Sequence, residues 1–384
     1  MRKICVFLGG RANYSSIKSA MRAIKNHPDL TLQVILGGQG LTDKFGDLEG
    51  ILENDGFQVD EKVHMLVAGD KPISMVKTAG LGLLGISDAL DHLDPDFLIV
   101  VGDRYEVMAA TIAAAYMNIR VAHTMGGEVT GTIDESIRHA ITKFAHIHFP
   151  ANKEAAERIV KLGERAEDVF TVGCPRVDHV HELLLSDPSM PLDMYEKFGG
   201  VGPAFDLKEP FLLVSQHPVT TEYAEAKNQI TETIKACVRT GLNIIVLWPN
   251  ADAGTEGIST GIRKYREKYP NAKIHAFKNL PADIYTRLMK NTACLVGNSS
   301  SGIREGAYIG TPCVNIGSRQ NGRERGQNVI DTAPVEGEIY EAIEKQIAHG
   351  PYESQPIYGD GHAGEQIAEI LSKVEVKVQK RITY

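Results

Sequence analysis

Little in this chain points to a disulfide framework, a membrane or a nucleic acid. Cysteine is sparse and odd in number, five residues at Cys5, Cys174, Cys237, Cys294 and Cys313. They are isolated from one another and several lie in apolar runs of strand length. That pattern excludes a disulfide scaffold or a zinc site and reads as small hydrophobes in a reducing compartment. No apolar run reaches the about 18 residues that a spanning helix needs. The opening Met1-Arg2-Lys3-Ile4-Cys5-Val6-Phe7-Leu8 is too short for a signal peptide, and Gly9-Gly10-Arg11 ends it without a cleavage pattern. The expectation is a cytoplasmic protein with no membrane partner. Basic residues are in deficit, 41 Lys and Arg against 49 Asp and Glu for a net charge of −8. Nothing resembles the basic footprint of a nucleic-acid binder. A G-x-G-x-x-G fingerprint, metal-ligand spacing, a G-x-S-x-G elbow and a Cys/His pair are also missing.

What is present is an ordinary globular composition, 43% hydrophobic and 23% charged, in 384 residues. That length exceeds what one core usually supports, so two domains are expected. Short apolar runs at Ile4–Leu8, Leu32–Leu36, Phe97–Val101, Arg120–His123 and Ile147–Phe149 alternate with amphipathic helical patterns. A second series runs Phe211–Ser215, Ile244–Trp248, Lys273–Ala276, Ala293–Val296 and Cys313–Ile316. Strands alternating with helices mean parallel sheets covered on both faces. The series breaks between about Leu185 and Leu207, where Pro188, Pro191, Gly199, Gly200, Gly202 and Pro203 cluster. The expected fold is two doubly wound α/β domains, 1–185 and 207–364, with 365–384 crossing back onto the first. Open sheets of this kind bind ligands at the carboxyl ends of their strands, which places the expected site in the interdomain cleft.

Six segments carry groups suited to chemistry at those ends. The run 126–139, GGEVTGTIDESIRH, gathers Glu128, Asp134, Glu135, Arg138 and His139 around three glycines at the start of a helix. Such a set suits acid/base work on an anionic or sugar substrate, while Asp134 as an N-cap with Glu135 in the first turn is the plainer reading. Gly9-Gly10-Arg11 after the first strand offers backbone donors and a guanidinium to a phosphate, or is a plain turn. Gly297-Asn298-Ser299-Ser300-Ser301-Gly302-Ile303-Arg304-Glu305 offers hydroxyls at a helix start, with Glu305 placed to accept from a ribose diol, or is capping alone. Gly317-Ser318-Arg319 opens a loop with three arginines. Asp103, beside Arg104, and His217 each follow a strand and face the expected cleft, or are a structural Asp–Arg pair and a structural histidine.

Together these motifs resemble the hydrolysing UDP-N-acetylglucosamine 2-epimerases, and most of all the epimerase half of the bifunctional animal UDP-GlcNAc 2-epimerase/N-acetylmannosamine kinase. The carriers are Gly-Asp-Arg at 102–104, GGEVTGTIDESIRHAITK at 126–143, Gly173-Cys174-Pro175, Gln216-His217-Pro218-Val219-Thr220-Thr221, Pro249-Asn250-Ala251-Asp252-Ala253-Gly254, GNSSSGIREG at 297–306 and Ile357-Tyr358-Gly359-Asp360-Gly361. The resemblance implies two Rossmann-like domains of the B-type glycosyltransferase architecture, no metal or nicotinamide, and a homodimer or homotetramer. It implies conversion of UDP-GlcNAc and water to N-acetylmannosamine and UDP, by anti elimination to 2-acetamidoglucal and then hydration, the first step toward sialic acid. A 2,4-diacetamido-trideoxy sugar of the legionaminic acid route is the alternative substrate, and an inactive nucleotide-sugar-binding module the alternative class. By position, Asp103, Asp134 and His217 match proton-transfer or cleft residues. Ser299 and Ser300 match diphosphate contacts, Glu305 the ribose contact and Phe277 the uracil side. Arg319, Arg11 and Arg104 match the diphosphate or sugar side, and Asn250 counts among the substrate contacts. Met125 stands where animal enzymes carry a glutamate, so that role is empty or falls to Glu128. Asn13 stands where relatives often carry an acid. Of two arginines tied to feedback by CMP-sialic acid, one matches Arg263 and the other is Thr260.

Overall fold

The structure, a computed structural model, describes residues 1–42, 47–69, 72–130, 133–249, 254–278 and 280–383. Its twelve named strands fall into two parallel six-stranded sheets. The first has the order β3-β2-β1-β4-β5-β6, built from β1 (Arg2–Leu8), β2 (Leu30–Gly37), β3 (Glu61–Val63), β4 (Phe97–Val101), β5 (Arg120–Thr124) and β6 (Ile147–Phe149). The second has the order β12-β11-β10-β7-β8-β9, from β7 (Phe211–Ser215), β8 (Asn243–Leu247), β9 (Ile274–Phe277), β10 (Cys294–Gly297), β11 (Cys313–Ile316) and β12 (Val329–Thr332). Each sheet reverses its direction of winding beside its own first strand, the β1/β4 pair in one and the β7/β10 pair in the other. Those are the switch points at which doubly wound sheets take ligands.

The chain divides into two compact units. One comprises Met1–Glu128, Ile133–His179 and Tyr358–Tyr384, the other Val129–Thr132 and Val180–Ile357. The main changeover falls inside the helix Pro175–Ser186, upstream of the Pro/Gly-rich stretch. That stretch belongs to the second unit because Val201 bridges to Ala276 and the helix Met194–Phe198 sets Tyr195 against Phe277. The helix Ala363–Lys373 lies on the first unit, held by Asp178. Its carboxylate accepts from the amides of Ala363 at 3.0 Å and Gly364 at 2.7 Å and from Ser19 Oγ at 2.7 Å. Gly173 and Gly359 approach so closely that a Cβ on either would sit 2.8 Å from the other's Cα. The Cys174 amide donates to the Tyr358 carbonyl at 2.7 Å beside them.

Central strands form where the apolar runs are unbroken: every residue of β4 and β7 is buried. The two strands the sequence pattern does not announce, β3 and β12, each lie at one edge of a sheet with most residues not buried, whereas the opposite edge strands, β6 and β9, are buried throughout. The pattern also misses the longest helix, Pro72–Leu93, which by length and composition is apolar enough to cross a membrane. Lys77 and Asp88 interrupt its apolar run, and one face, with Thr78, Gly82, Ile86, Ala89 and Leu90, is buried. All five cysteines are free and buried, as small core hydrophobes are.

Candidate functional site

At the switch point of the first unit, β1 runs through Gly9 and Gly10 into the short helix Arg11–Ser15, and β4 runs through Gly102 into Asp103. Asn13, 4% exposed, donates from Nδ2 to the Val101 carbonyl at 3.2 Å and so ties the first loop to the end of β4. Arg11 lies half out of water, which lowers its pKa, and its Nε has no hydrogen-bond partner among the described residues. A guanidinium so placed suits an incoming anion. Arg104 is held by Glu106, a fully buried carboxylate that accepts from Arg104 Nε at 3.2 Å on both oxygens.

Asp103 pairs with Arg138 Nη2, while Arg138 Nη1 donates to the Glu128 carbonyl at 2.9 Å. Arg138 is 2% exposed and Glu128 is fully buried. One guanidinium therefore gathers the post-β4 and post-β5 loops, bringing together residues that lie 35 positions apart in sequence. Charged groups are seldom taken out of water without a structural or chemical use. Asp134 opens the helix Asp134–Phe144, whose N-cap is Ile133 with no side-chain cap. The plainer reading of Asp134 as the N-cap residue is thus corrected: it sits in the first turn, where the helix dipole favours a carboxylate. His139 lies 3.9 Å from Glu135, and burial and then Arg138 push its pKa down.

Beneath this edge lies His123, fully buried, with Nε2 2.8 Å from the Gly102 carbonyl and Nδ1 3.3 Å from Thr142 Oγ1. Burial pulls its pKa down to about 3, so it stays neutral and acts as a brace. Met125 packs against the apolar core with φ of 62°, a conformation uncommon for a side chain. Its partly buried side chain carries no acid or base.

In the second unit the loop after β10 folds over the end of β7. Gly297 has φ of +137°, and a Cβ there would run into the Ser215 carbonyl oxygen. Asn298, 1% exposed, clamps His217: its Oδ1 accepts from the His217 amide at 2.7 Å and its Nδ2 donates to the His217 carbonyl at 2.9 Å. The Asn298 carbonyl in turn accepts from Arg319 Nη1 at 3.1 Å and Gln320 Nε2 at 2.9 Å. His217, Asn298 and Arg319 are thus one connected group. Ser299 caps the turn Ser300–Gly302, and its Oγ lies 2.8 Å from Ser301 Oγ, which is 2.6 Å from the Tyr285 hydroxyl. Burial, with Glu305 acting the same way, raises the Tyr285 pKa. Glu305 is 5% exposed at the start of the helix Glu305–Ile309.

Phe277 is fully buried, its ring stacked 5.9 Å from Tyr195 and tilted against His275 at 4.6 Å. In the arginine loop, Arg325 bonds to Asp331 and to the Arg323 and Gln320 carbonyls, so it shapes the loop. Asn250 lies outside the described residues. Sequence reasoning missed Asn298, Tyr285, Ser301 and Gln320 as organisers. Only the hydroxyl run itself signalled them.

Two Rossmann-like units, each with polar and charged side chains gathered at its strand ends, define the fold class of the B-type glycosyltransferase architecture. The family model described as "UDP-N-acetylglucosamine 2-epimerase" matches residues 22–372. The chain belongs to that family. It is 32% identical over 379 residues to the UDP-N,N'-diacetylbacillosamine 2-epimerase (hydrolyzing) of Legionella pneumophila, covering 99% of this chain and 98% of the relative. It is 31% identical over 387 residues to the UDP-N-acetylglucosamine 2-epimerase of Neisseria meningitidis, covering 99% and 98%. The fold matches a crystal structure of the Methanocaldococcus jannaschii UDP-GlcNAc 2-epimerase in complex with UDP-GlcNAc and UDP, with TM-score 0.81, 19% identity and coverage of 96% and 99%.

Proposed function

We propose that this chain is a hydrolysing UDP-sugar 2-epimerase that converts UDP-GlcNAc and water to N-acetylmannosamine and UDP. The observation that carries the hydrolysing reading is the near full-length likeness to a relative described as hydrolysing. The second unit, with Ser299, Ser300, Arg319 and Glu305, takes the UDP moiety, and Arg11 and Arg104 of the first unit face the diphosphate or sugar. Asp103, Glu128, Asp134 and His217 serve proton transfer.

The C2 hydrogen of the sugar is barely acidic, so departure of the diphosphate must carry much of the barrier. Fixed donors and guanidinium groups around the leaving group are the natural large contribution. UDP leaves as the C2 proton is taken on the opposite face, giving 2-acetamidoglucal. Water then adds at C1 while a proton returns to C2 from the other side. With a thioether at Met125, Glu128 is the carboxylate left to fill the acid/base role at that edge. The product is an unphosphorylated amino sugar that feeds sialic acid assembly, in the manner of the epimerase half of the bifunctional animal enzyme.

A second reading follows from the Legionella relative: the substrate is the UDP-linked 2,4-diacetamido-trideoxy sugar. Incubation with each UDP-sugar in D2O, followed by proton NMR, separates the two. N-acetylmannosamine deuterated at C2 together with free UDP is the expected outcome. Turnover of the diacetamido sugar alone would shift the assignment to the second reading, UDP-ManNAc would mean a non-hydrolysing enzyme, and no turnover of either would leave a binding module.

A further inference from the structure

The tail after the helix Ala363–Lys373 crosses the sheet of the first unit at the strand starts, the edge remote from the site. From Val374 to Lys380 its residues alternate between half-buried and exposed, the mark of an extended chain lying on a surface. The half-buried positions are held by side chains from the strand starts. Arg2, opening β1, donates to the Leu371 and Val374 carbonyls at 2.6 and 2.8 Å. Arg120, opening β5, donates from Nε to the Val376 carbonyl at 2.9 Å. His146, just before β6, accepts the Val121 amide on Nδ1 at 3.0 Å, so its Nε2 donates to the Val378 carbonyl at 2.9 Å. From β1 to β6 is three strand spacings, about 14 Å, which the four steps from Val374 to Val378 span at about 3.3 Å each. The chain then bends at 378–379 and delivers Lys380 to a fixed point.

That point is the rear of the helix Asp134–Phe144. The Lys380 ammonium donates to the Lys143 carbonyl at 2.8 Å and also reaches those of Thr142 and Ala145. A cation on the last carbonyls answers the negative end of the helix dipole. Lys380 Nζ also lies 2.6 Å from Glu164, whose side chain is 4% exposed. Glu164 accepts in addition from Lys143 at 2.6 Å and from His148 of β6 at 3.2 Å. Helix end, strand and tail therefore share one buried carboxylate.

The front of the same helix carries groups of the site. Asp134 and Arg138 lie on it, and Arg138 pairs with Asp103. Thr142, in the last turn, meets His123 at 3.3 Å, and His123 meets the Gly102 carbonyl beside Asp103 at 2.8 Å. The residue before the helix is Ile133, which offers no side-chain cap. A rod of 11 residues, about 16 Å long, passes a slide or tilt at its rear on to its front. We propose that Lys380 is a positioning residue for proton transfer. It fixes the helix Asp134–Phe144 from behind, so that Asp134 and the Arg138–Asp103 pair meet the sugar in register. This role rests on the proton-transfer functions proposed for Asp103 and Asp134.

The test compares the native chain with Lys380→Met, Lys380→Arg and a control, Leu371→Ala, by steady-state kinetics on the UDP-sugar that the native chain turns over. Leu371 is fully buried in the helix Ala363–Lys373, so its truncation destabilises the unit and leaves Lys380 unchanged. Lys380→Met is expected to lower kcat about 10- to 100-fold, with KM and UDP affinity within about twofold of native. Lys380→Arg should recover most of that loss. Leu371→Ala should lower the thermal midpoint at least as far as Lys380→Met while sparing kcat. Hydrogen exchange read by mass spectrometry is expected to quicken over 134–139 in Lys380→Met. A kcat near the native value, an arginine variant no better than the methionine one, or an equal kcat loss in Leu371→Ala overturns the proposal. If Lys380→Met does not fold, Lys380→Gln takes its place in both measurements. A native chain that turns over no UDP-sugar is instead a failure of the proposed function, and exchange then decides alone. Unchanged rates over 134–139 overturn the coupling of tail to helix, and faster ones uphold it.

Discussion

Asp103 and Asp134 differ in what they are attached to, and their variants should differ accordingly. Asp134 lies in a helix first turn, so Asp134→Asn keeps shape and removes only the carboxylate's basicity. Loss of about 100- to 10,000-fold in kcat is expected, the usual worth of a positioned acid or base, with UDP affinity unchanged by isothermal titration. Asp103 instead answers a guanidinium that is 2% exposed. Asp103→Ala should cost activity and, by taking a carboxylate from a buried charge, on the order of 3 kcal/mol in urea unfolding. Equal stability of the two variants would sink the distinction. Asn298 makes a third case, because its amide is spent on the His217 main chain. Asn298→Ala leaves a buried donor and acceptor unmatched and should lower stability by about 2 kcal/mol. It should also reduce kcat through a misplaced His217 without altering the pH profile of the remaining activity.

Among elements, the tail after the helix Ala363–Lys373 carries the clearest pH dependence. Lys380 donates to Glu164 at 2.6 Å and caps the helix Asp134–Phe144 through the Lys143 carbonyl at 2.8 Å. Glu164 also accepts from Lys143 at 2.6 Å and from His148 at 3.2 Å. Burial alone would raise the Glu164 carboxyl, yet these partners hold it down at about 2. A depressed carboxyl contributes stability that is complete above its unfolded value near 4.5 and is lost as pH falls toward 2. His123, depressed to about 3 from 6.5, behaves alike: it favours the fold above pH 6.5 and progressively ceases to as pH falls toward 3. Thermal midpoints should therefore be flat above neutrality, decline below pH 6.5, and fall more steeply below 4.5. In Glu164→Gln the steeper segment should shrink, and an unchanged curve would refute the role of this cluster.

The same scale shows what a sequence reveals. Runs such as Phe97–Val101 and Phe211–Ser215 announce themselves because both faces of a central parallel strand are buried. The edge strands β3 and β12 do not, since most of their residues are not buried. The Pro72–Leu93 helix hides behind its glycines and its doubly apolar surface, which blur the 3.6-residue period. Loop chemistry was legible as residue types at strand ends. Its organisers were not, because Asn298 meets His217 and Asp103 meets Arg138 only through tertiary structure. Nothing local tells that Tyr195 lies on the Phe277 ring either.

At the scale of the whole molecule, the five buried thiols give a simple probe of integrity. Burial raises the Cys237 and Cys313 thiols to about 12, and it also pushes those of Cys5 and Cys294 well above the usual thiol range. No thiol should react with a disulfide reagent in the native protein, and all five should react in guanidinium. A native thiol that reacts quickly would show local opening. The way the units are threaded has a different consequence. The first is assembled from three separate stretches, including Tyr358–Tyr384, while the second is almost wholly the continuous segment Val180–Ile357. Arg2 hydrogen-bonds to the carbonyls of Leu371 and Val374. On the ribosome the part made first therefore finishes last: its sheet emerges early but waits for a helix some two hundred codons downstream. During that interval the ground where Ala363–Lys373 will lie is open apolar surface. A premature stop after Ile357 would leave the later-made unit whole and the earlier-made one a client for chaperones.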